Sequence, residues 1–354
     1  MHRIRRGLLA LVVCSSVATS VAAAQDSTAK DSTAKDSTAK GSTAKDSTAK
    51  DSTAKGLPPA PLVTSGIETG PPHNGVVSLP NASCPLNSDQ LTAVRLGVGA
   101  AFVGGNAYLY HYFKKAWWSG VPAPHFFFHA DWDQWFRDQD KFGHMLGGYH
   151  LARFGHAGLR LACVGRTKAI VWSAVYAAAF QLQIEIFDGH FVKYGFSYAD
   201  MIANTTGQTL AVMQELHPSL TAIKPTVSYH KTRALANTEN GQIPGELRPS
   251  LDYSGQTYWF SADMNRLLPD GAKQYWPSFI RFSAGHSVTD WVNPETGAVQ
   301  RAKRKIILSL DWDPEKLPGN APWWRSVKHT LSYYHFPAPA LELTPKMHLS
   351  PWYR

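Results

Sequence analysis

The chain has 354 residues, a formal charge of +9 and three cysteines. Three cysteines exclude a disulfide-built scaffold. The positive charge points to an anionic partner, and the export signal described next makes that partner membrane lipid or envelope glycan rather than nucleic acid.

Arg3, Arg5 and Arg6 precede an apolar stretch over 7–21, and Ala22, Ala23 and Ala24 offer a small-residue cleavage site. Residues 1–24 therefore read as a secretory signal peptide, too short for a membrane anchor. Leu11, Val12, Val13 and Cys14 match a lipidation box only loosely, because Val13 is not small and the apolar run continues past Cys14. Cleavage removes three arginines and lowers the charge to +6, leaving Cys84 and Cys163. An oxidising compartment allows these two to pair, and the sequence alone does not decide whether they do.

The unit DSTAK repeats over 26–55, with one copy opening on Gly41. It holds no large apolar residue and cannot bury a core. With Pro58, Pro59, Pro61, Pro71 and Pro72 it makes 25–82 a disordered spacer. The repeat is too short for a solenoid.

From about residue 83 the pattern turns helical. Apolar stretches run over 91–113, 140–154, 167–187 and 197–216. Each is near the length that crosses a bilayer, yet each carries polar residues that a lipid-facing span avoids. A soluble bundle, a bundle against a membrane and a polytopic unit all fit. Gly143 and Gly147 stand at helix-contact spacing. Between the first two helices lies HFFFHADWDQWFRDQD, read either as an interfacial aromatic belt or as an aromatic core.

After Pro218 the period becomes two. Tyr258, Phe260 and Ala262 alternate with Trp259 and Ser261; Ile280 and Phe282 with Arg281; Ile306, Leu308, Leu310 and Trp312 with Ile307, Ser309 and Asp311. Leu341 and Leu343 flank Glu342, and Val227 and Tyr229 make a shorter case. These predict half-buried antiparallel strands, too few and too irregular for a membrane barrel. The fold class is α+β: a helical bundle of about four apolar helices over 83–220, then a small antiparallel β region over 221–354. The basic cluster Arg301, Lys303, Arg304 and Lys305 reads as a charged strand edge or a contact for an anionic partner.

The polar residues of the helices form the candidate site. On a helix Asp140 and His144 share one face and Lys141 points aside; Gln181, Glu185 and Asp188 share another. Ser197 and Asp200 match a capping box, and Asp200 and Asn204 continue one stripe. If these faces converge, Asp140, His144, Glu185, Asp188, Asp200 and Asn204 meet. Asp140, His144, Glu185 and Asp200 are then candidate ligands for a divalent metal. Asp140, His144, Glu185, Asp188 and Asp200 are the catalytic candidates, since carboxylates in unlike environments divide acid and base work. Lys141, Ser197 and Asn204 complete a polar network. Structural readings stand beside these: Asp140 as a helix N-cap, His144 as a hydrogen-bonded core histidine, and Asp188 with Gly189 as a helix end. Glu185 follows an apolar run and needs a partner, from Lys141, Lys193 or His144.

DKFGHMLGGY followed by EIFDGHFVKYGFSYADMIANTTGQ resembles the YfiM-like predicted-lipoprotein family, a domain family of unknown function. The resemblance rests on Asp140, Lys141, Gly143, His144, Glu185, Asp188, Gly189, Gly195, Ser197, Asp200, Ala203, Asn204 and Gly207. DYSGQTYWFS, LSLDWD and FPAPALEL are similar to the tail of longer members. A fainter likeness is to VanZ-like membrane proteins. The resemblance implies an envelope protein with a helical core and implies no reaction. The expectation is an exported, membrane-associated envelope protein of structural or interaction role, periplasmic or membrane-bound. The alternative is a metal-dependent hydrolase or transferase acting on envelope lipid or cell-wall material.

Overall fold

The computed structural model describes residues 84–353. The signal peptide and the DSTAK spacer lie outside the described residues. The first long helix, α1 (Ser88–Ala116), starts on a reciprocal cap. Asn87 Oδ1 accepts from Gln90 N at 2.9 Å, and the Gln90 side chain accepts from Asn87 N at 3.1 Å. Lys114 and Lys115 close its last turn, where the helix dipole favours cations. α1 contributes no buried residue of its own. A Cys84–Cys163 disulfide ties its start to the far end of α2 (Gln139–Leu161). That bond closes a span of 79 residues, a constraint on the unfolded chain worth about 2–4 kcal/mol.

α2, α3 (Arg166–Asp188) and α4 (Tyr198–Leu216) pack on one another around Tyr149, Ala152, Ala177 and Ala211. Glycine lets α2 and α4 meet backbone to backbone. A Cβ on Gly148 would strike the Asn204 carbonyl, and one on Gly207 the Met145 carbonyl. The close approach is thus at Gly148 and Gly207. Gly147 has ordinary room beside Gln181, and Gly143 faces the Tyr258 hydroxyl.

Two short parallel strands, β1 (Phe128–His129) and β2 (Phe196–Ser197), bring the 122–131 loop to the start of α4. Six antiparallel strands follow in spatial order β3 to β8: Ile223–Tyr229, Gln256–Ala262, Ile280–Val288, Arg304–Trp312, Ala338–Glu342 and His348–Tyr353. The mixed helix-and-sheet composition with antiparallel pairing agrees with the α+β class. β8 has no counterpart in the periodicity.

The sheet curls. Trp259 on β4 packs with Ile307 on β6, Ala340 on β7 and Tyr353 on β8, and Tyr353 Oη lies 3.2 Å from Thr257 Oγ1. The enclosed side is largely polar. Thr257, Ser261, Arg281, Ser283, Ser309 and Asp311 are buried there, while Phe260, Phe282, Ile306, Leu310 and Trp312 face outward. Arg281 Nη2 sits 2.7 Å from Asp311 Oδ2, and Arg281 Nη1 donates to Ser332 O at 3.0 Å. Ser261 Oγ donates to Asp311 Oδ2 at 3.0 Å. The small polar side chains satisfy one another inside the curl, which removes the penalty of burying them.

α2 also docks on the sheet. Gln139 Nε2 donates to Gln256 O at 2.8 Å, Gln139 Oε1 lies 2.7 Å from His286 Nδ1, and the rings of Phe142 and His286 stack at 4.4 Å. Two members of the basic cluster fasten the loop before α2. Arg301 pairs with Asp133; Arg304 pairs with Asp133 at 3.0 Å and with Asp138; Lys305 pairs with Glu342 at 3.3 Å. That loop is held in the left-handed region at Asp133, Arg137 and Asp138.

The buried Arg281–Asp311 pair yields a stability prediction. Asp311→Ala strands the guanidinium inside the sheet and should lower unfolding free energy by about 3–5 kcal/mol in urea melts. A loss under 1 kcal/mol, roughly the scale of an exposed pair, would show that water reaches the interior.

Candidate functional site: a charge cluster where three helices meet

α2 supplies Asp140, Lys141 and His144 in its first turns; α3 supplies Gln181, Glu185 and Asp188 at its end; the start of α4 supplies Asp200 and Asn204. Ser197 caps α4, its Oγ accepting from Asp200 N at 2.9 Å. The cap is not reciprocal. Ser197 N donates to Glu185 Oε2 at 3.3 Å, and the Asp200 carboxylate turns toward α2.

Lys141 does not point aside. Its ammonium lies 2.8 Å from Asp140 Oδ2, 2.8 Å from Asp200 Oδ1, and in contact with Asp131 Oδ2. The long flexible stem lets the charge reach carboxylates that the Cα direction does not face. Asp140 accordingly serves as an ion-pair partner. The N-cap position is Asp138, in left-handed conformation and without a side-chain cap bond. Asp131, absent from the sequence-based set, is the third acid; Ser197 Oγ donates to its Oδ1 at 2.6 Å.

His144 forms the second centre. Its Nδ1 lies 3.1 Å from Asn204 Oδ1 and 3.7 Å from Glu185 Oε1; its Nε2 lies 3.5 Å from Asp200 Oδ1. Asn204 Oδ1 also accepts from Gln181 Nε2. An oxygen there requires the Nδ1 position to carry a proton, so in neutral imidazole the free lone pair is on Nε2. Gln208 Nε2 holds Gln181 through Oε1 at 2.7 Å. Asp200 bridges the two centres. Asp188 stands at the margin, accepting from Trp118 Nε1 at 2.6 Å. Lys193 lies outside the cluster, 5.5 Å above the Tyr194 ring.

Five carboxylates, Asp131, Asp140, Glu185, Asp188 and Asp200, thus share two cationic side chains. Burial pushes Glu185 up to about 8, and Asp140 and Asp188 to about 6. Burial also opposes ionisation of Asp131, but hydrogen bonds from Lys141 and Ser197 hold it below the usual carboxylate range. Burial opposes the charge on His144 as well, and Asp200, Glu185 and Asp140 outweigh it, raising the imidazole above its ordinary value. Glu185 thus keeps its proton at neutral pH, and the acids around His144 favour the protonated imidazole.

The donors fall into two groups within 4.8 Å of one another: His144, Glu185 and Asp200, and Asp131, Asp140 and Asp200. The second group surrounds the Lys141 ammonium. His144 is the most open of these members, its side chain 26% exposed against 12% or less for the others. A groove of about 460 Å³ between α1 and α3 is lined by Phe102, Val103, Asn106, Ala107, Tyr110 and Tyr176, and so touches none of the cluster.

Glu185 and His144 both hold a proton in the folded chain that the unfolded chain releases at lower pH. The stability they contribute is full below their ordinary values and is lost as pH rises through the raised ones. Half-buried His150 and buried His286 and His335, which loss of solvent lowers to about 4, act the other way, but only below their ordinary value of 6.5. Between about pH 6.5 and 8, stability should therefore fall as pH rises, by up to about 1.4 kcal/mol per unit for each proton. Glu185→Gln should flatten that slope in urea melts across the window. A rising slope would contradict the assignment.

No curated protein matches this chain. No solved structure matches it either. Residues 134–216 match the model of a family described as "Predicted periplasmic lipoprotein (DUF2279)". That segment holds α2, α3 and α4 and every member of the cluster except Asp131 and Trp118. The match places this chain with exported proteins of the cell envelope, over the segment that carries its charge cluster.

Proposed function

We propose that this is an exported, membrane-associated envelope protein with a structural or interaction role, and that its charge cluster is an internal brace fixing the register of the helices. The observation that carries this reading is the Lys141 ammonium, enclosed by Asp131, Asp140 and Asp200. The chain supplies from its own helix the cation that three acids need. A divalent ion cannot take that position without displacing it. Charges paired in this way tie α2, α4 and the preceding loop to one another, and a satisfied buried network specifies one arrangement.

The motif blocks support grouping the chain with YfiM-like proteins, and the VanZ-like likeness supports contact with a membrane. α3 is long and apolar enough, by length and composition, to cross a bilayer, with 33% of its apolar window buried. We read it as a packed helix whose outer side, with Val171, Trp172 and Val175 exposed, faces the membrane. In this reading α1, fastened by the disulfide, completes a bundle of four helices. Anionic lipid or other anionic envelope components are the partners that the positive charge favours.

A second reading is a metal-dependent hydrolase or transferase acting on envelope lipid or cell-wall material. The observation in its favour is the His144, Glu185 and Asp200 group, whose donors lie within 4.8 Å and whose imidazole is the open member. There His144 Nε2 and the two carboxylates would hold the ion.

His144→Ala separates the two. If the cluster is a brace, the variant should lose about 1–3 kcal/mol of stability, because a buried partner is left unsatisfied. The purified mature protein should then carry no stoichiometric metal in elemental analysis. An unaltered melting temperature, with metal bound to the wild type and lost in the variant, would establish the second reading. Carbonate washing of isolated envelopes tests the location: retention in the membrane fraction is expected, and complete release would contradict membrane association.

A further inference from the structure

We infer that the outer face of the β3–β8 sheet is a lipid-contacting surface, seated in the hydrocarbon of an envelope bilayer. This rests on the membrane association proposed above and identifies a surface that provides it.

The alternation along the strands is inverted relative to a sheet with one face in water. Such a sheet turns its apolar row inward and its polar row outward. Here Ser261, Arg281, Ser283 and Asp311 are buried at 3% exposure or less, while Phe260, Phe282, Ile306, Leu310 and Trp312 keep 36–41%. Strand register joins the outward residues into one patch. Phe260 is opposite Ala284, which is opposite Leu308; Phe282 lies between Ala262 and Leu310; Ile280 is opposite Trp312. Leu349, 66% exposed, extends the row beyond Leu341. Toward the end of β5 the same row is covered, His286 being buried against Gln139 and Phe142 of α2; the open part of the face is that of Phe260, Phe282, Leu310 and Trp312. Apolar outside and polar inside is the pattern of a sheet bordered by lipid.

The same inversion favours lipid over a protein partner. A protein-docking patch is a local apolar centre with a polar rim. Here the change of sign runs across β4, β5 and β6, and the sheet interior has taken the hydrogen-bonding side chains. Charge agrees. The outward rows of these strands carry no acid, and Lys303 and Lys346 stand exposed on the loops where β6 and β8 begin. Anionic headgroups complement that end. At the opposite end Phe279 stacks on Trp312 at 6.0 Å, and aromatic rings favour the interface between hydrocarbon and water. From Ile306 to Trp312 the row is about 20 Å long at the usual rise per residue. That is shorter than the roughly 30 Å hydrocarbon core, so the face rests in the bilayer without crossing it. The β3 edge is not left open: Val227 N donates to Tyr333 O at 3.1 Å, and His335 N to Val227 O at 3.0 Å.

The test uses the full mature chain bound to vesicles of phosphatidylethanolamine and phosphatidylglycerol. Phe282→Cys and Leu310→Cys are labelled in separate variants with an environment-sensitive fluorophore, since Cys84 and Cys163 are joined. Glu295→Cys, on an exposed loop, and Val175→Cys, on α3, are the reference positions. Lipids carrying a spin label in the acyl chain should quench the labels at 282 and 310 several-fold more than the label at 295. Quenching at 175 alone would overturn the inference and leave membrane association standing. Failure of the wild type to bind vesicles would overturn both. Labels at 282 and 310 that are shielded from water without lipid quenching, in a chain that sediments as a dimer, would overturn the inference in favour of a second copy of the chain.

Discussion

The helical half of this protein depends on where one ammonium group sits. Lys141 is buried, and an isolated buried cation is costly enough that the fold must bring acids to it. The acids come from three places: the loop before α2, α2 itself and the start of α4. Each fixes something. Asp131 brings the aromatic loop against the cap of α4 through Ser197. Asp200 sets how far α4 slides along α2, where Gly148 and Gly207 have removed the side chains that would hold the backbones apart. His144 and Asn204 then join α3 through Gln181 and Glu185. The excess of acids over cations is accommodated by protons, which burial retains on Glu185. Local charge and helix register are therefore one problem with one solution.

The sheet solves a related problem with the opposite geometry. Its curl encloses a polar row held by the Arg281–Asp311 pair and by serine and threonine hydroxyls. Its apolar row is left outside. α2 links the two halves at its first turn, where Gln139 reaches both the β4 backbone and His286 on β5. One helix end thus carries the sheet contact and, from the next residue on, the charge cluster.

Much of this was legible in the sequence. Helical spacing put Asp140 and His144 on one face, and placed Gln181 with Glu185 and Asp200 with Asn204, because periodicity reports Cα directions. It misplaced Lys141 for the same reason: a four-carbon stem carries the charge away from the direction of its Cα. Asp131 was not found because it lies in an aromatic loop with no period; its only signal was an acid close before a buried lysine. The strands were visible as alternation, but alternation gives a period and not a side. Whether Phe282 or Ser283 faces inward depends on what lies beyond the sheet. β8 was hidden by Pro351 and by its short exposed course. The pairing of Cys84 with Cys163 joins positions 79 residues apart, a proximity that only the packed helices create.

The central claim is that Lys141 and its acids act as one unit. A double-mutant cycle with Lys141→Met and Asp200→Asn, read by urea denaturation near neutral pH, tests it most directly. Lys141→Met should cost about 3–5 kcal/mol, because it leaves Asp131, Asp140 and Asp200 buried without their cation. Asp200→Asn, which leaves the ammonium with two carboxylates, should cost less. The double change should cost less than the two together, with a coupling energy between about 0.5 and 3 kcal/mol. Additive losses, with coupling under about 0.5 kcal/mol, would mean that the contact is incidental and that packing alone sets the register of the helices.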